Sequence, residues 1–152
     1  MDFLHARKGF LEGIVFSGGE ATSQPALEAA MKASHKLGYR IGLHTSGAYP
    51  ARLREILPLI DWVGLDIKAP LDERYDLITG AEGSAKKVRE SLGLVLASGV
   101  AHQLRTTVHP KLLSEKDLAD IQSELAALGA EPSVIQTFRP QGCEDEELLR
   151  SS

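Results

Sequence analysis

Cysteine occurs once in the 152 residues, at Cys143. A lone thiol can form no internal disulfide and cannot build a multi-cysteine metal site. Basic residues are outnumbered, with 17 Lys and Arg against 21 Asp and Glu, so the formal net charge is -4 and the pI is near 5.7. That balance is the reverse of a nucleic-acid footprint. No apolar run approaches the ~20 residues that cross a bilayer. The opening "MDFLHARKGFLEG" lacks the long apolar stretch of a signal peptide. No nucleic acid and no membrane are expected as partners, and the compartment reads as cytoplasmic. Linker composition and low complexity are missing too, apart from the acidic end "CEDEELLRSS".

What remains is a soluble globular composition, 43% hydrophobic and 25% charged, which gives no sign of disorder. The length suits one domain with a real core and is too short for two ordinary ones. We expect a domain over residues 1–143 and a frayed acidic tail over 144–152. Within the domain one pattern recurs: a short apolar run, polar punctuation, then an amphipathic helix. Ile14–Phe16 is the first run, and "YRIGLHTSG", "DWVGLDIKAP", "AHQLRTTVHP" and "SVIQTFRP" are the others. Ser23 is expected to cap a helix with Pro25 in its first turn and Leu27, Ala30, Met31 and Leu37 as its buried stripe. Pro50 opens a second helix that stops near Pro58. "LDERYDLITGAEGS" reads as a long loop or short helix, Ser84 starts a helix closed at Gly99, and Ser114 with Asp117 forms a capping box for the last helix. Strands separated by helical segments imply right-handed βαβ crossovers, hence an α/β fold with a parallel sheet of about five strands.

Ligands of parallel sheets sit beyond the carboxyl ends of the strands. The first run ends in Ser17, Gly18, Gly19 and Glu20, and the second in His44, Thr45 and Ser46. The third ends in Asp66 and Lys68, the fourth in Arg105, Thr106, Thr107 and His109, and the fifth in Gln136 and Arg139. Each residue has a plain structural explanation. Gly18–Gly19 could be a tight turn and Glu20 a helix-dipole residue. Asp66 and Lys68, two apart on a strand, could pair with each other. Arg105 could balance Glu20 or Asp66, and His109 before Pro110 reads as loop decoration. Those explanations need a separate cause for every strand, whereas a polar ligand site needs one.

The words themselves, "VFSGGEATSQPAL", "GLHTSG", "WVGLDIKAP", "RTTVHP" and "FRPQGC", form an ordered set from about Phe10 to Cys143. The set resembles the radical S-adenosylmethionine enzymes, and within them the activase of the anaerobic ribonucleoside-triphosphate reductase. The resemblance implies a partial (βα) barrel holding a [4Fe-4S] cluster and S-adenosylmethionine. It also implies cleavage of the sulfonium C–S bond, hydrogen abstraction from a backbone glycine of a glycyl-radical enzyme, and an electron donor such as flavodoxin. By analogy Gly18, Gly19 and Glu20 would receive the methionyl amino group, since glycines admit close backbone approach and an acid suits an ammonium. Thr45 and Ser46 match ligand-bonding positions. Asp66 and Lys68 match a D-x-K motif, and Lys68 or Arg105 could meet the methionyl carboxylate. Arg139 or Gln136 would lie near the adenosine end.

Two departures stand out. Ala21 occupies the place where the family commonly has proline, and the C-x-x-x-C-x-x-C cluster loop is absent from the sequence. Thiolates are the usual cluster ligands. The chain is therefore expected to be a radical-enzyme barrel with its first βα unit missing, shortened or degenerate, inactive alone and open along one apolar edge. The alternatives are a non-enzymatic barrel that binds a partner or nucleotide-like ligand, and an aldolase-like enzyme with Lys68 as a Schiff-base lysine.

Overall fold

In a computed structural model, which describes residues 4, 6–7 and 9–138, the apolar runs become strands β1 Gly13–Phe16, β2 Arg40–Thr45, β3 Trp62–Asp66, β4 Ala101–Val108 and β5 Val134–Thr137. They form one five-stranded sheet in the order β1-β2-β3-β4-β5. Between them run α1 Leu27–Lys36, α2 Pro50–Ile56, α3 Glu73–Thr79, α4 Ser84–Ser98 and α5 Glu115–Ala127. Strand order that follows chain order, with helices in the connections, is the topology of a (βα) barrel. The α/β partial barrel expected from the sequence is thus the fold. No helix among the described residues is long and apolar enough to cross a membrane.

By contact the chain divides into two compact units, Met1–Leu65 with Lys87–Gln103, and Asp66–Lys86 with Leu104–Ser152. In the first, β1 pairs parallel with β2 from Gly13↔Arg40 to Phe16↔Leu43, and β2 pairs parallel with β3 from Gly42↔Trp62 to Thr45↔Leu65. Alternate residues on a strand face opposite sides. Ile41 and Leu43 on β2 and Val63 and Leu65 on β3 accordingly share the buried side, with Met31, Leu53, Ile56, Leu92 and Val95. Each such aliphatic side chain taken from water contributes roughly 1.5–3 kcal/mol. β1 ends the sheet order, with Val15 52% exposed on it.

The start of α1 differs from the reading of Ser23 as its cap. Ala21–Ser23 form a single 3-10 turn capped by the Glu20 side chain, and Ala26 precedes α1 without any side-chain cap. The reason is local competition: the Ser23 hydroxyl donates back to the Glu20 carbonyl at 2.7 Å. The buried stripe also shifts. Leu27, Met31 and Ser34 are buried, and Ala30 is exposed.

In the second unit, β4 and β5 pair parallel from Arg105↔Val134 to Val108↔Thr137. The polar stretch left open between loop and helix is α3, which Asp72 caps by accepting the Arg74 amide and Gly80 ends at φ 64°. Asp76 on α3 accepts the Gly83 and Ala85 amides and the Ser84 hydroxyl, so one carboxylate organises the next helix start. The capping box of Ser114 and Asp117 is present at α5. β5 is exposed on both faces. Cys143 and the 144–152 tail lie outside the described residues.

Candidate functional site

Beyond β1 the chain turns through Gly18 at φ 99° and Gly19 at φ 53°. Both values lie where side-chain-bearing residues are strained. A Cβ at either position would meet nothing within 4 Å. Backbone dihedral, not crowding, therefore demands glycine, and the turn leaves its main chain open to approach.

Glu20 follows, half-buried. Its Oε1 accepts the Thr22 amide at 3.1 Å, the Thr45 hydroxyl at 2.7 Å, and the Thr22 hydroxyl. Its Oε2 accepts the Ser46 amide at 2.7 Å and the Ser46 hydroxyl at 2.5 Å. β1 and β2 are adjacent and parallel, so their ends coincide, and the chain brings Ser46, 26 positions on, back to Glu20. Burial alone would raise the Glu20 pKa. The hydrogen bonds from Ser46, Thr22 and Thr45 outweigh it and hold the carboxyl below its usual value.

Behind this corner Thr45 is buried, and its hydroxyl accepts the Gly47 amide at 3.0 Å while donating to Glu20. Gly47 sits at φ 74°. A Cβ there would lie 3.0 Å from the Ser91 Cβ and 3.1 Å from the Leu65 Cδ1. The buried Ser91 hydroxyl donates to the Gly47 carbonyl at 2.8 Å. A continuous chain of bonds thus runs from α4 through the β2 end to the glycine turn.

The second unit has a different corner. Asp66 does not pair with Lys68; its Oδ1 accepts Arg105 Nε at 2.9 Å and Nη2 at 2.6 Å. Of the two partners left open for Arg105, Asp66 is the one bound. The Tyr75 hydroxyl donates to the Asp66 carbonyl and accepts the Lys68 amide, each at 3.3 Å, so it ties down the backbone of the D-x-K segment. Burial pushes that phenol well above its usual range.

Asp66 and Lys68, with Ile67, Ile78, Thr107, His109, Leu112, Leu113 and Phe138, line a cavity of about 230 Å³. Lys68 is exposed. His109 is 3% exposed, its Nδ1 accepts the Lys111 amide, and its ring meets Phe138 edge-on at 4.8 Å and 81°. His109 was named at the end of the fourth run with loop decoration as its plain explanation, and it is buried here; Phe138 is the lining residue that reading the sequence did not single out. For His109 a signal was available: Arg105, Thr107 and His109 continue one alternation, so they share a side of the strand. Gln136 is exposed on β5, and Arg139 lies outside the described residues. Among the described residues no group of three or more His, Cys, Asp or Glu could hold a metal ion.

Set against known proteins, residues 1–123 match the sequence profile of the Radical SAM superfamily. A provisionally assigned glycyl-radical enzyme activating enzyme of Methanocaldococcus jannaschii is 31% identical over 99% of this chain and 62% of its own length. The 7-carboxy-7-deazaguanine synthase of Thermococcus kodakarensis is 30% identical over 93% of this chain and 54% of its own. The chain therefore spans little more than half the length of these curated relatives. Among solved structures, a domain of a pyruvate-formate lyase-activating enzyme from Bacteroides vulgatus superposes with a TM-score of 0.69. It covers 91% of this chain and 88% of that one at 16% identity, a likeness of fold.

Proposed function

This chain belongs to the radical SAM superfamily, and from that premise we propose that it is the S-adenosylmethionine-binding part of an activase that generates a glycyl radical on a partner enzyme. The partner class we propose is the anaerobic ribonucleotide reductase type, with a flavodoxin-like electron donor. The observation that carries the reading is the glycine turn with its acceptor-rich corner. Open backbone at Gly18 and Gly19, a carboxylate at Glu20 and hydroxyls at Thr45 and Ser46 suit a protonated amine. In the other unit, taken by itself, Lys68 is exposed beside the Asp66–Arg105 ion pair and is proposed for an anionic group. Arg139, outside the described residues, is proposed near the adenosine end.

The [4Fe-4S] cluster, which supplies the electron for sulfonium cleavage when bound, does not fit the residues present. Such clusters are held by thiolates, and the sequence has only Cys143. The chain alone is proposed to be inactive. The same cysteine count favours a second reading, a non-enzymatic barrel that binds a partner or nucleotide-like ligand. Two measurements test the pair. Calorimetric titration with S-adenosylmethionine under air should give a 1:1 isotherm, and no heat would sink the first reading. Anaerobic incubation with iron and sulfide should leave the visible spectrum without a cluster band.

A further inference from the structure

Among the described residues β1 ends the sheet, and it carries none of the usual protections of an edge strand. "GIVF" has no charge and no proline, and its register on β2 is unbroken. The Arg40 amide donates to the Glu12 carbonyl. By alternation Ile14 also turns its backbone groups toward β2, while Gly13 and Val15 turn theirs to the open edge. Val15 is 52% exposed, and just before the strand Phe10 is 83% and Leu11 43% exposed. On the face that carries Gly13 and Val15, size alternates from strand to strand. Val15 registers with Gly42 and Gly42 with Trp62, while Gly13 registers with Arg40. A Cβ on Gly42 would lie 3.0 Å from Val15 Cγ2, and one on Gly13 would lie 3.2 Å from the Arg40 Cβ. Each larger side chain thus borders the space of a neighbouring glycine, and the five residues line a hollow of about 360 Å³.

We propose that β1 is an interface between two copies of this chain, paired antiparallel about a two-fold axis at Ile14. Gly13 of each copy then stands opposite Val15 of the other, joined by about four main-chain hydrogen bonds, and Ile14 faces Ile14. The size pattern is what selects a second copy as the occupant. Across the axis one row reads Trp62, Gly42, Val15, then the second copy's Gly13 and Arg40: large, small, large, small, large. The same row runs back the other way, so a single strand supplies both the knob and the gap. A parallel partner on this edge would turn its matching face to the opposite side of the sheet and lose that fit. Because both copies use the same patch, the contact closes as a dimer and leaves no edge to extend. It also carries the exposed Leu11 and Phe10 of each copy along the partner strand. β5 is exposed at the other end of the sheet order, but "VIQT" has no glycine to receive a side chain. The interface is independent of the S-adenosylmethionine reading.

The test uses the 152-residue chain without ligand. Sedimentation equilibrium should show monomer and dimer with no larger species; a chain still monomeric at about 1 mM would overturn the interface. Val15→Lys sets a charge on the exposed inner position of the strand, a device that blocks edge pairing. It should raise the dimer dissociation constant at least about tenfold with the circular dichroism spectrum unchanged, and an unaltered dimer would exclude β1. A disulfide reads the register. Opposed residues of a non-hydrogen-bonded antiparallel pair have Cα atoms about 4.5 Å apart, within disulfide reach. In a Cys143→Ser background Ile14→Cys should therefore oxidise to a covalent dimer, while Ile135→Cys on the exposed β5 should stay monomeric. Cross-linking at Ile135 as efficient as at Ile14 would overturn the proposal, as would open-ended oligomers of the parent. Should Val15→Lys fail to fold, the Ile14→Cys disulfide decides alone, since it changes only one half-buried side chain.

Discussion

Both corners place an acid at a strand end, and they satisfy it in opposite ways. Glu20 is held by neutral hydroxyls and amides of Thr22, Thr45 and Ser46. Asp66 is held by the guanidinium of Arg105. Neutral donors stabilise a carboxylate while leaving its charge in place, so the first corner stays anionic. A guanidinium cancels the charge, and an added Lys68 then tips the second corner positive. Two carboxylates that look alike in sequence therefore carry different local charge, the basis on which ligand groups of opposite sign are proposed for them.

The largest expected effect attacks what the first corner is built on. Gly47→Ala forces a side chain into the left-handed region and pushes a methyl against the Ser91 Cβ and Leu65. Strain and overpacking together predict a loss of about 3 kcal/mol in urea unfolding. Gly80→Ala in the second unit is the internal control. It too has positive φ, at 64°, but no neighbour within 4 Å of the added atom, so its cost should be near the backbone term alone, about 1 kcal/mol. Equal losses would mean that the Gly47 turn relaxes freely, and the rigid backing assigned to the Glu20 corner would go with it.

A smaller effect separates the two modes of holding an acid. The Glu20 pKa is lowered in the folded chain, so its contribution to stability is fully present above the unfolded value of about 4.5 and is lost as pH falls through the folded one. Parent and Glu20→Gln should therefore differ most in urea midpoint near neutrality and converge as pH falls below about 4.5 and through the lowered folded value. Acids elsewhere with lowered pKa values, such as Asp76 and Asp117, titrate in both proteins and cancel in the difference. A gap that stays constant with pH would show that the substitution acts through shape and not through the charge.

The strands were legible because buried parallel strands read as apolar runs, as "IGL" in β2 and "WVGL" in β3 do. The capping box at Ser114 was legible because it is local: both partners lie within one turn. Glu20 was legible as an acid after two glycines but not as a saturated one, because three of its five donors come from Thr45 and Ser46, 25 and 26 residues away. Ser23 was misread because its competitor, the Glu20 carbonyl, matters only once the turn has formed. His109 was legible as one of the polar residues ending β4, but its burial against Phe138 was not, because Phe138 follows another strand. Local chemistry shows in a sequence; occupancy of an acceptor by distant donors does not.

The smallest effect on stability carries the finest distinction between the corners. Lys68 is exposed and contributes no buried packing, so Lys68→Met should leave the urea midpoint within about 0.5 kcal/mol of the parent. Its proposed part is to meet a carboxylate, and affinity for S-adenosylmethionine should fall about three- to tenfold. The decarboxylated ligand separates this from a general loss of affinity: it should bind parent and Lys68→Met equally, because the group that lysine would meet is gone. A Lys68→Met protein that weakens both ligands alike would mean the lysine acts through bulk charge, leaving the second corner with no claim on the carboxylate.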